Sequence, residues 1–253
     1  MELVVLGSGA AVPSARRAAP GFLLRAGVDA AVLDTGWGTM DRLLAAGVGL
    51  QSVSHLLYTH NHLDHTAELA PWLFASRVPT AARAAPLTIC GSAGFMRMLS
   101  SLRSLYGHWL DAASYPLRLV TMDGSRSDPV AFEGWTARAY AVSHIESSVA
   151  FRITNDSGKS LVYTGDSAAC DELVEAARDA DLLLIEASSP DGDELPGHMT
   201  PSEAGAIASR AGARRVLLTH LTPTCDGVDM LAQLRRTYDG EAAVAEDGMR
   251  LQV

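Results

Sequence analysis

YTHNHLDHT, residues 58–66, places three histidines and one aspartate within the six positions from His60 to His65. It overlaps a largely apolar run, VSHLLYTH (53–60), that reads as a strand running straight into the cluster. Alternate residues of an extended chain point to the same side, so His60 and His62 can converge on one metal ion. Asp64 and His65 open the next turn or helix and can face a second ion close by. Imidazoles with a carboxylate suit zinc, and also manganese or iron. These side chains alone fill neither ion's shell, so further ligands have to come from elsewhere in the chain.

Donors of the right kind recur at the ends of other apolar runs: His144 in AVSHIES, Asp166 in VYTGDS, Glu186 in LLIEAS, His198 in PGHMTP and His220 in LLTHLTP. Loops held by a rigid sheet are where sites are usually built. His55, inside an apolar strand, and His108, behind Gly107, fit hydrogen-bonded or surface histidines better, although His108 could also line a pocket mouth. Strand-like blocks joined to helices occur in both halves. The pattern predicts a helix over AGFMRMLSSLRSLYGHWL (93–110), another over VDMLAQLRRTY (228–238), and one closing strand in AVAEDGMRLQV (243–253). DGSRSDP (123–129) and SSPDGDELPG (188–197) read as loops. LGSGAAVPS lacks the third glycine of a dinucleotide fingerprint, and Pro13 stands where its helix would start.

In this order, the motifs resemble those of the metallo-β-lactamase superfamily, and within it the ribonuclease Z-like branch from end to end. LGSGAAVPSARR (6–17) is similar to that branch's LGxGxxxPxxxR, and VLDTGWGT (32–39) to its LLDxGxGT. HNHLDH matches HxHxDH, and YTGDS resembles YSGDT. The segment from Glu186 to Ala204 resembles its EA…HxT…EA pattern, and LLTHLTP its closing LTHxS. The resemblance implies an α/β fold, an αββα sandwich spanning residues 1–253 as a single domain, with two facing mixed sheets, helices outside and metals at one edge. It implies that His60, His62 and His144 hold one divalent ion and Asp64, His65 and His220 a second, with Asp166 bridging. Two such ions, zinc by donor type with manganese or iron as alternatives, would lie about 3.5–4 Å apart and activate a bridging hydroxide. Asp64, His198 and Glu186 would be the catalytic residues, with Glu186 orienting His198 towards a scissile phosphate. Thr200 would bind a phosphate oxygen or cap a helix, and His108 is a further candidate for substrate contact.

The chain departs from tRNA-processing members of that branch. Their bacterial forms carry a protruding tRNA-binding arm between the third ligand histidine and the bridging aspartate. Here His144 and Asp166 enclose only IESSVAFRITNDSGKSLVYTG, room for two strands and a turn. The formal net charge is −9 and Lys159 is the sole lysine, which disfavours a nucleic-acid polymer as partner. The expected activity is therefore hydrolysis of small phosphodiesters, cyclic or nucleotide in type. A lactonase, arylsulfatase or phosphotriesterase using the same centre is the alternative, followed by tRNA 3′ processing or a non-catalytic metal-binding protein. Met96, Met98, Leu102, Tyr106 and Trp109 could line an apolar pocket for such substrates, although core packing accounts for most of them. Cys90, Cys170 and Cys225 are scattered and form no CxxC pair, as expected of reduced thiols in the cytoplasm. MELVVLGSG lacks the basic start of a signal peptide, and no apolar run has membrane-spanning length. The branch often forms homodimers, so self-association is a further expectation.

Overall fold

The computed structural model describes residues 1–112, 114–124 and 129–253. The chain first lays down β1 (Glu2–Gly7), β2 (Gly21–Ala26), β3 (Asp29–Thr35), β4 (His55–Leu57), β5 (Leu87–Gly91) and β6 (Leu117–Thr121). It then builds a second sheet from β7 (Val130–Phe132), β8 (Trp135–Ala141), β9 (Val149–Asn155), β10 (Ser160–Tyr163), β11 (Leu182–Glu186), β12 (Arg215–Thr219) and β13 (Glu241–Val244). The last strand, β14 (Arg250–Gln252), returns to the first sheet beside β1. Both sheets have seven strands, ordered β14-β1-β2-β3-β4-β5-β6 and β13-β12-β11-β10-β9-β8-β7. Each combines antiparallel hairpins with a run of parallel strands: β3 to β6 in one sheet, β10 to β13 in the other.

The layering follows from strands that are apolar on both faces. Leu3 and Val5 of β1 belong to the core between the sheets, with Phe22, Leu33, Trp135, Phe151, Leu184 and Leu217. Their neighbours Val4 and Leu6 point the other way, into an outer layer. That layer is covered by α1 (Thr39–Ala45), α2 (Leu63–Thr66), α3 (Leu69–Ala75) and α4 (Ala93–Tyr106). On the far side α5 (Asp171–Ala177) packs over β8 and β9, α6 (Pro201–Ala211) over β11 and β12, and α7 (Met230–Leu234) beside β13, burying Leu173, Ala204, Ile207 and Leu234. Period-2 alternation of apolar residues on both sides of a strand is what a sheet covered on both faces requires. The result is the expected αββα sandwich of two mixed sheets.

Away from the donor cluster, three elements differ from the sequence expectation. The closing strand is two: β13 and β14 lie in different sheets, separated by a turn through Glu246, Asp247 and Gly248. The helix expected over residues 93–110 stops at Tyr106, where Gly107 takes φ 58° and a short 3₁₀ turn, Gly107–Leu110, follows. The helix expected over residues 228–238 is only Met230–Leu234, capped by Asp229 through Ala232 N. Period alone marks none of these boundaries, because a turn that crosses between sheets and a bent amphipathic helix keep the same apolar spacing. The DGSRSDP loop lies largely outside the described residues.

Two features tie the sandwich together away from the metal-type residues. At one end of β4, His55 stands edge-on to Phe132 and Trp135 of the opposite sheet, 4.6 and 5.2 Å between ring centroids. Trp135 Nε1 donates to Asp29 Oδ2 at 2.9 Å, a hydrogen bond from sheet to sheet. The second feature is Arg83, fully buried, whose guanidinium donates to the carbonyls of Leu50, Val53, Ala85 and Pro86. It pins the connections flanking β4 and β5. Among the described residues no helix is long and apolar enough to cross a membrane.

Candidate metal centre

All the candidate donors leave the same end of the two sheets. His60 lies just beyond β4, and His62 is the extended residue ahead of α2, whose first turn carries Asp64 and His65. His144 follows β8, Asp166 follows β10, Glu186 ends β11 and His220 follows β12. The strand expected to run through His60 ends at Leu57. Convergence of His60 and His62 therefore comes from a loop, held by Thr59 N donating to Asp34 Oδ1 and Val149 N donating to Thr59 O, both at 2.9 Å. Two motif glycines make the crowding possible. A Cβ on Gly36 would lie 2.1 Å from the Asp64 carbonyl oxygen. Gly165, at φ 56°, would place one 2.6 Å from Thr59 Cβ.

Three groups of ligand-type atoms result, with atoms in each group no more than 4.8 Å apart: His60, His62, His144 and Asp166; Asp64, His65, Asp166 and His220; and, beside them, Glu186, His198 and His220. Asp166 is common to the first two, which form the paired clusters. Its Oδ1 is 3.2 Å from His65 Nε2 and 3.2 Å from His220 Nε2. Its Oδ2 is 3.6 Å from His60 Nε2 and 3.8 Å from His144 Nε2. Ligand-type ring nitrogens face one another here: His62 Nδ1 and His144 Nε2 lie 3.1 Å apart, His65 Nε2 and His220 Nε2 3.4 Å. His60 Nε2 and Asp166 Oδ1 are buried without any hydrogen-bond partner. Lone pairs converging on a common point, with orphaned buried atoms among them, are what a cation would satisfy. The two His/Asp clusters are thus consistent with a dinuclear metal site.

The opposite nitrogen of each buried imidazole is fixed by an outer partner. His65 Nδ1 donates to Asp34 Oδ2 at 2.8 Å, and His144 Nδ1 to the Gly197 carbonyl at 2.9 Å. His220 Nδ1 lies 2.8 Å from Ser188 Oγ, and His60 Nδ1 3.1 Å from Thr59 Oγ1. Such partners set which ring nitrogen carries the proton and leave the other free for a metal. Burial and the neighbouring imidazoles lower the pKa values of His60 and His62 and keep both neutral. For Asp166, burial opposes ionisation, but His220, His65 and His60 outweigh it and hold the carboxyl well below its usual range. For His65, burial opposes the cation, yet Asp166 and Asp34 raise it well above an ordinary imidazole. A metal would displace that proton on binding.

Asp34 was not recognisable as part of the site from ligand spacing. It is fully buried, with φ 55°, and accepts hydrogen bonds from Thr59 N, Thr59 Oγ1, His65 Nδ1 and Tyr163 Oη. A carboxylate inside the apolar run VLDTG was the available signal, since a buried charge needs partners. His220 also takes a positive φ, 59°. Asp34 and His220 are two of the three non-glycine residues with positive φ among the described residues, a placement of backbone strain that fits a functional site.

Glu186 meets no arginine among the described residues. Its carboxylate accepts from Ser167 N at 2.6 Å, Met199 N at 3.3 Å, Ser188 Oγ, and His198 Nδ1 at 3.1 Å. It is too fully engaged to serve as another metal ligand, so Glu186 and His198 form a hydrogen-bonded dyad next to the clusters. The His198 ring stacks 5.5 Å from that of His220. Burial opposes protonation of His198, but the hydrogen bond and charge of Glu186 outweigh it and raise its pKa. Over the clusters lies a cavity of about 210 Å³, lined by His62, Asp64, Asp166, Ser188, His198 and His220 and walled by Ala10, Ala11, Val12, Leu195 and Thr222.

Thr200 and His108 are not part of this cavity. The Thr200 hydroxyl is committed to a capping box at the start of α6, reciprocated by Glu203. His108 is exposed on the 3₁₀ turn and borders another cleft with Arg103 and Asp111. Tyr106 and Trp109 do line an apolar cleft, of about 490 Å³, but with Ala70, Pro71 and Phe74 rather than with the clusters. Met96, Met98 and Leu102 pack on the core around Phe95 and Leu99.

Fold and donor set together define a family. A profile described as "Beta-lactamase superfamily domain" matches residues 31–221, and the chain belongs to the metallo-β-lactamase superfamily. It is 32% identical over 277 aligned positions to a protein named Ribonuclease Z from Mycobacterium bovis, covering 100% of this chain and 98% of that one. It is 34% identical over 244 positions to the uncharacterized protein Rv1339 of Mycobacterium tuberculosis, covering 95% and 88%. The crystal structure of the metallo-beta-lactamase fold protein YhfI from Bacillus subtilis superposes with a TM-score of 0.84 at 26% identity, covering 99% and 98%.

Proposed function

We propose that the chain is a dinuclear metal-dependent hydrolase of small phosphodiesters, cyclic or nucleotide in type. The observation that carries this is the Glu186–His198 dyad beside the clusters, with both His198 and the clusters lining one small cavity. When bound, two divalent cations, zinc by donor type, would supply Lewis acidity towards a phosphoryl oxygen and make water nucleophilic at neutral pH. Glu186 holds the Nδ1 proton of His198 and favours the imidazolium. The imidazolium then neutralises charge gathering on the phosphoryl group and gives its Nε2 proton to the departing alkoxide. The walls from Ala10 to Val12 and at Leu195 shed water around the leaving group.

The relative named Ribonuclease Z supplies a second reading, RNA cleavage by the same residues. Against it, the stretch between His144 and Asp166 forms only the β9–β10 hairpin. No lysine or arginine lines the cavity among the described residues, and the chain carries net charge −9.

The test is hydrolysis of bis(p-nitrophenyl) phosphate by zinc- or manganese-loaded protein, alongside a lactone, an aryl sulfate, a phosphotriester and an unprocessed tRNA. Phosphodiester turnover should exceed the others in kcat/KM. Asp64→Ala, which removes several kcal/mol of metal-derived stabilisation, should reduce it about 1,000-fold. A fully loaded protein that is inert to every phosphodiester but cleaves lactones or esters would overturn the proposal in favour of the alternative chemistry.

A further inference from the structure

Ser188 has no place in the motifs, yet it touches both halves of the site. It lies two residues beyond the end of β11 and is fully buried. Its main chain is stapled in two directions: Ser188 N donates to Met199 O at 2.9 Å, and Thr222 Oγ1 donates to Ser188 O at 2.6 Å. The first staple holds the segment carrying His198, the second the segment carrying His220. Its hydroxyl contacts Glu186 Oε2, lies 2.8 Å from His220 Nδ1 and 3.2 Å from His198 Nδ1.

Hydrogen counting leaves one arrangement. His220 Nε2 faces the carboxylates, 3.2 Å from Asp166 Oδ1 and 3.4 Å from Asp64 Oδ2, so as a ligand it must be unprotonated there and carry its hydrogen on Nδ1. That hydrogen needs an acceptor, and Ser188 Oγ is the polar atom at 2.8 Å. The hydroxyl has one hydrogen of its own. Glu186 Oε2 can only accept, so it receives that hydrogen, while Glu186 also accepts from His198 Nδ1 at 3.1 Å. The chain of bonds therefore runs from His220 Nδ1–H to Ser188 Oγ–H to Glu186, and from the other side from His198 Nδ1–H to Glu186. Hydrogen bonds arranged head to tail polarise one another, most of all when they end on a buried charge.

We propose that Ser188 is a positioning residue that relays the charge of Glu186 to His220, so that one buried carboxylate orients both the cluster histidine and the acid of the dyad. The proposal rests on the metal-centre part of the function proposed above and not on the choice of substrate. Glu186 belongs to neither of the two clusters that share Asp166, yet its neutralisation should weaken metal binding, whereas removal of His198 should not.

Zinc affinity is measured by competition with a chromophoric chelator on the full chain, together with thermal midpoints of the chelator-treated proteins. Ser188→Ala and Glu186→Gln should each bind the weaker zinc equivalent about 10- to 100-fold less tightly, the range seen when the outer partner of a ligand histidine is lost. Ser188→Thr, which restores the hydroxyl, should recover most of that affinity. His198→Ala should keep wild-type affinity while losing hydrolysis. Ser188→Ala with wild-type zinc affinity, or with a loss shared equally by Ser188→Thr and His198→Ala, would overturn the relay. A wild-type protein that binds two equivalents but cleaves no phosphodiester would sink the substrate assignment, while the affinity comparison would still decide the role of Ser188.

Discussion

Asp166→Asn should yield a folded protein that retains well under one of the about two metal equivalents of the wild type, with phosphodiester hydrolysis reduced by about 1,000-fold or more. Asp166 is the residue shared by both clusters, so its loss is felt at both positions, unlike that of His62 or His144. Its two oxygens reach towards four imidazoles, at 3.2, 3.2, 3.6 and 3.8 Å. Asparagine keeps the shape but removes the charge and replaces one acceptor by an NH₂ group pointing at lone pairs. A dication beside that group loses both a ligand and the buried anion that compensates its charge. Folding should survive, because the interior between the sheets is built from Phe22, Leu33, Trp135 and Phe151 and does not depend on Asp166. Metal analysis after gel filtration, together with circular dichroism, reads both outcomes. A variant that keeps the full complement would show that Asp166 is not the bridge.

The second large effect concerns stability. Asp34→Ala should destabilise the metal-free protein by about 3–5 kcal/mol, because it leaves Thr59 N, Thr59 Oγ1, His65 Nδ1 and Tyr163 Oη without their acceptor inside the core. Alanine must also adopt the φ of 55° that aspartate tolerates better, a further cost of about 1 kcal/mol. Domains of this size are stable by only about 5–15 kcal/mol, so about a quarter of the margin or more goes with one side chain. Urea denaturation in the presence of chelator should show a lower midpoint at unchanged slope. Asp34→Asn retains the shape and one acceptor and gives a soluble comparison if the alanine variant fails to accumulate. It should lose less stability but still weaken metal binding, because His65 Nδ1 loses its charged partner. A loss below about 1 kcal/mol for both variants would mean the network is dispensable.

How much of this was legible in the sequence differs from residue to residue. HNHLDH, His144, Asp166 and His220 were visible because donors at the ends of apolar runs are rare and chemically specific. Glu186 and His198 were visible as a pair by resemblance, and the structure joins them by a hydrogen bond. Asp34 stood in plain view within VLDTG, but spacing rules for ligands do not look for the acceptor behind a ligand. Ser188 carried no signal at all: a serine in a loop gains its role only when two distant segments fold against it. The candidates for substrate contact lie outside the cavity over the clusters. Thr200 reads equally as a phosphate contact or a helix cap, and the structure gives its hydroxyl to the cap. Gly107 ends the helix before His108 and Trp109, which border two separate clefts apart from the clusters. The split between β13 and β14 was hidden because both pieces have the same apolar pattern and only the topology assigns them to separate sheets.

The pinning of β4 has a consequence for how ions come and go. At one end His55 locks against Phe132 and Trp135 of the opposite sheet, and near the other Thr59 accepts a backbone hydrogen bond from Val149 of that sheet. A strand clamped to its opposite layer at both ends cannot swing away to let the sandwich gape. An ion approaching the clusters would therefore pass the rim of the cavity, where Val12 and Leu195 are exposed, rather than a gap between the sheets.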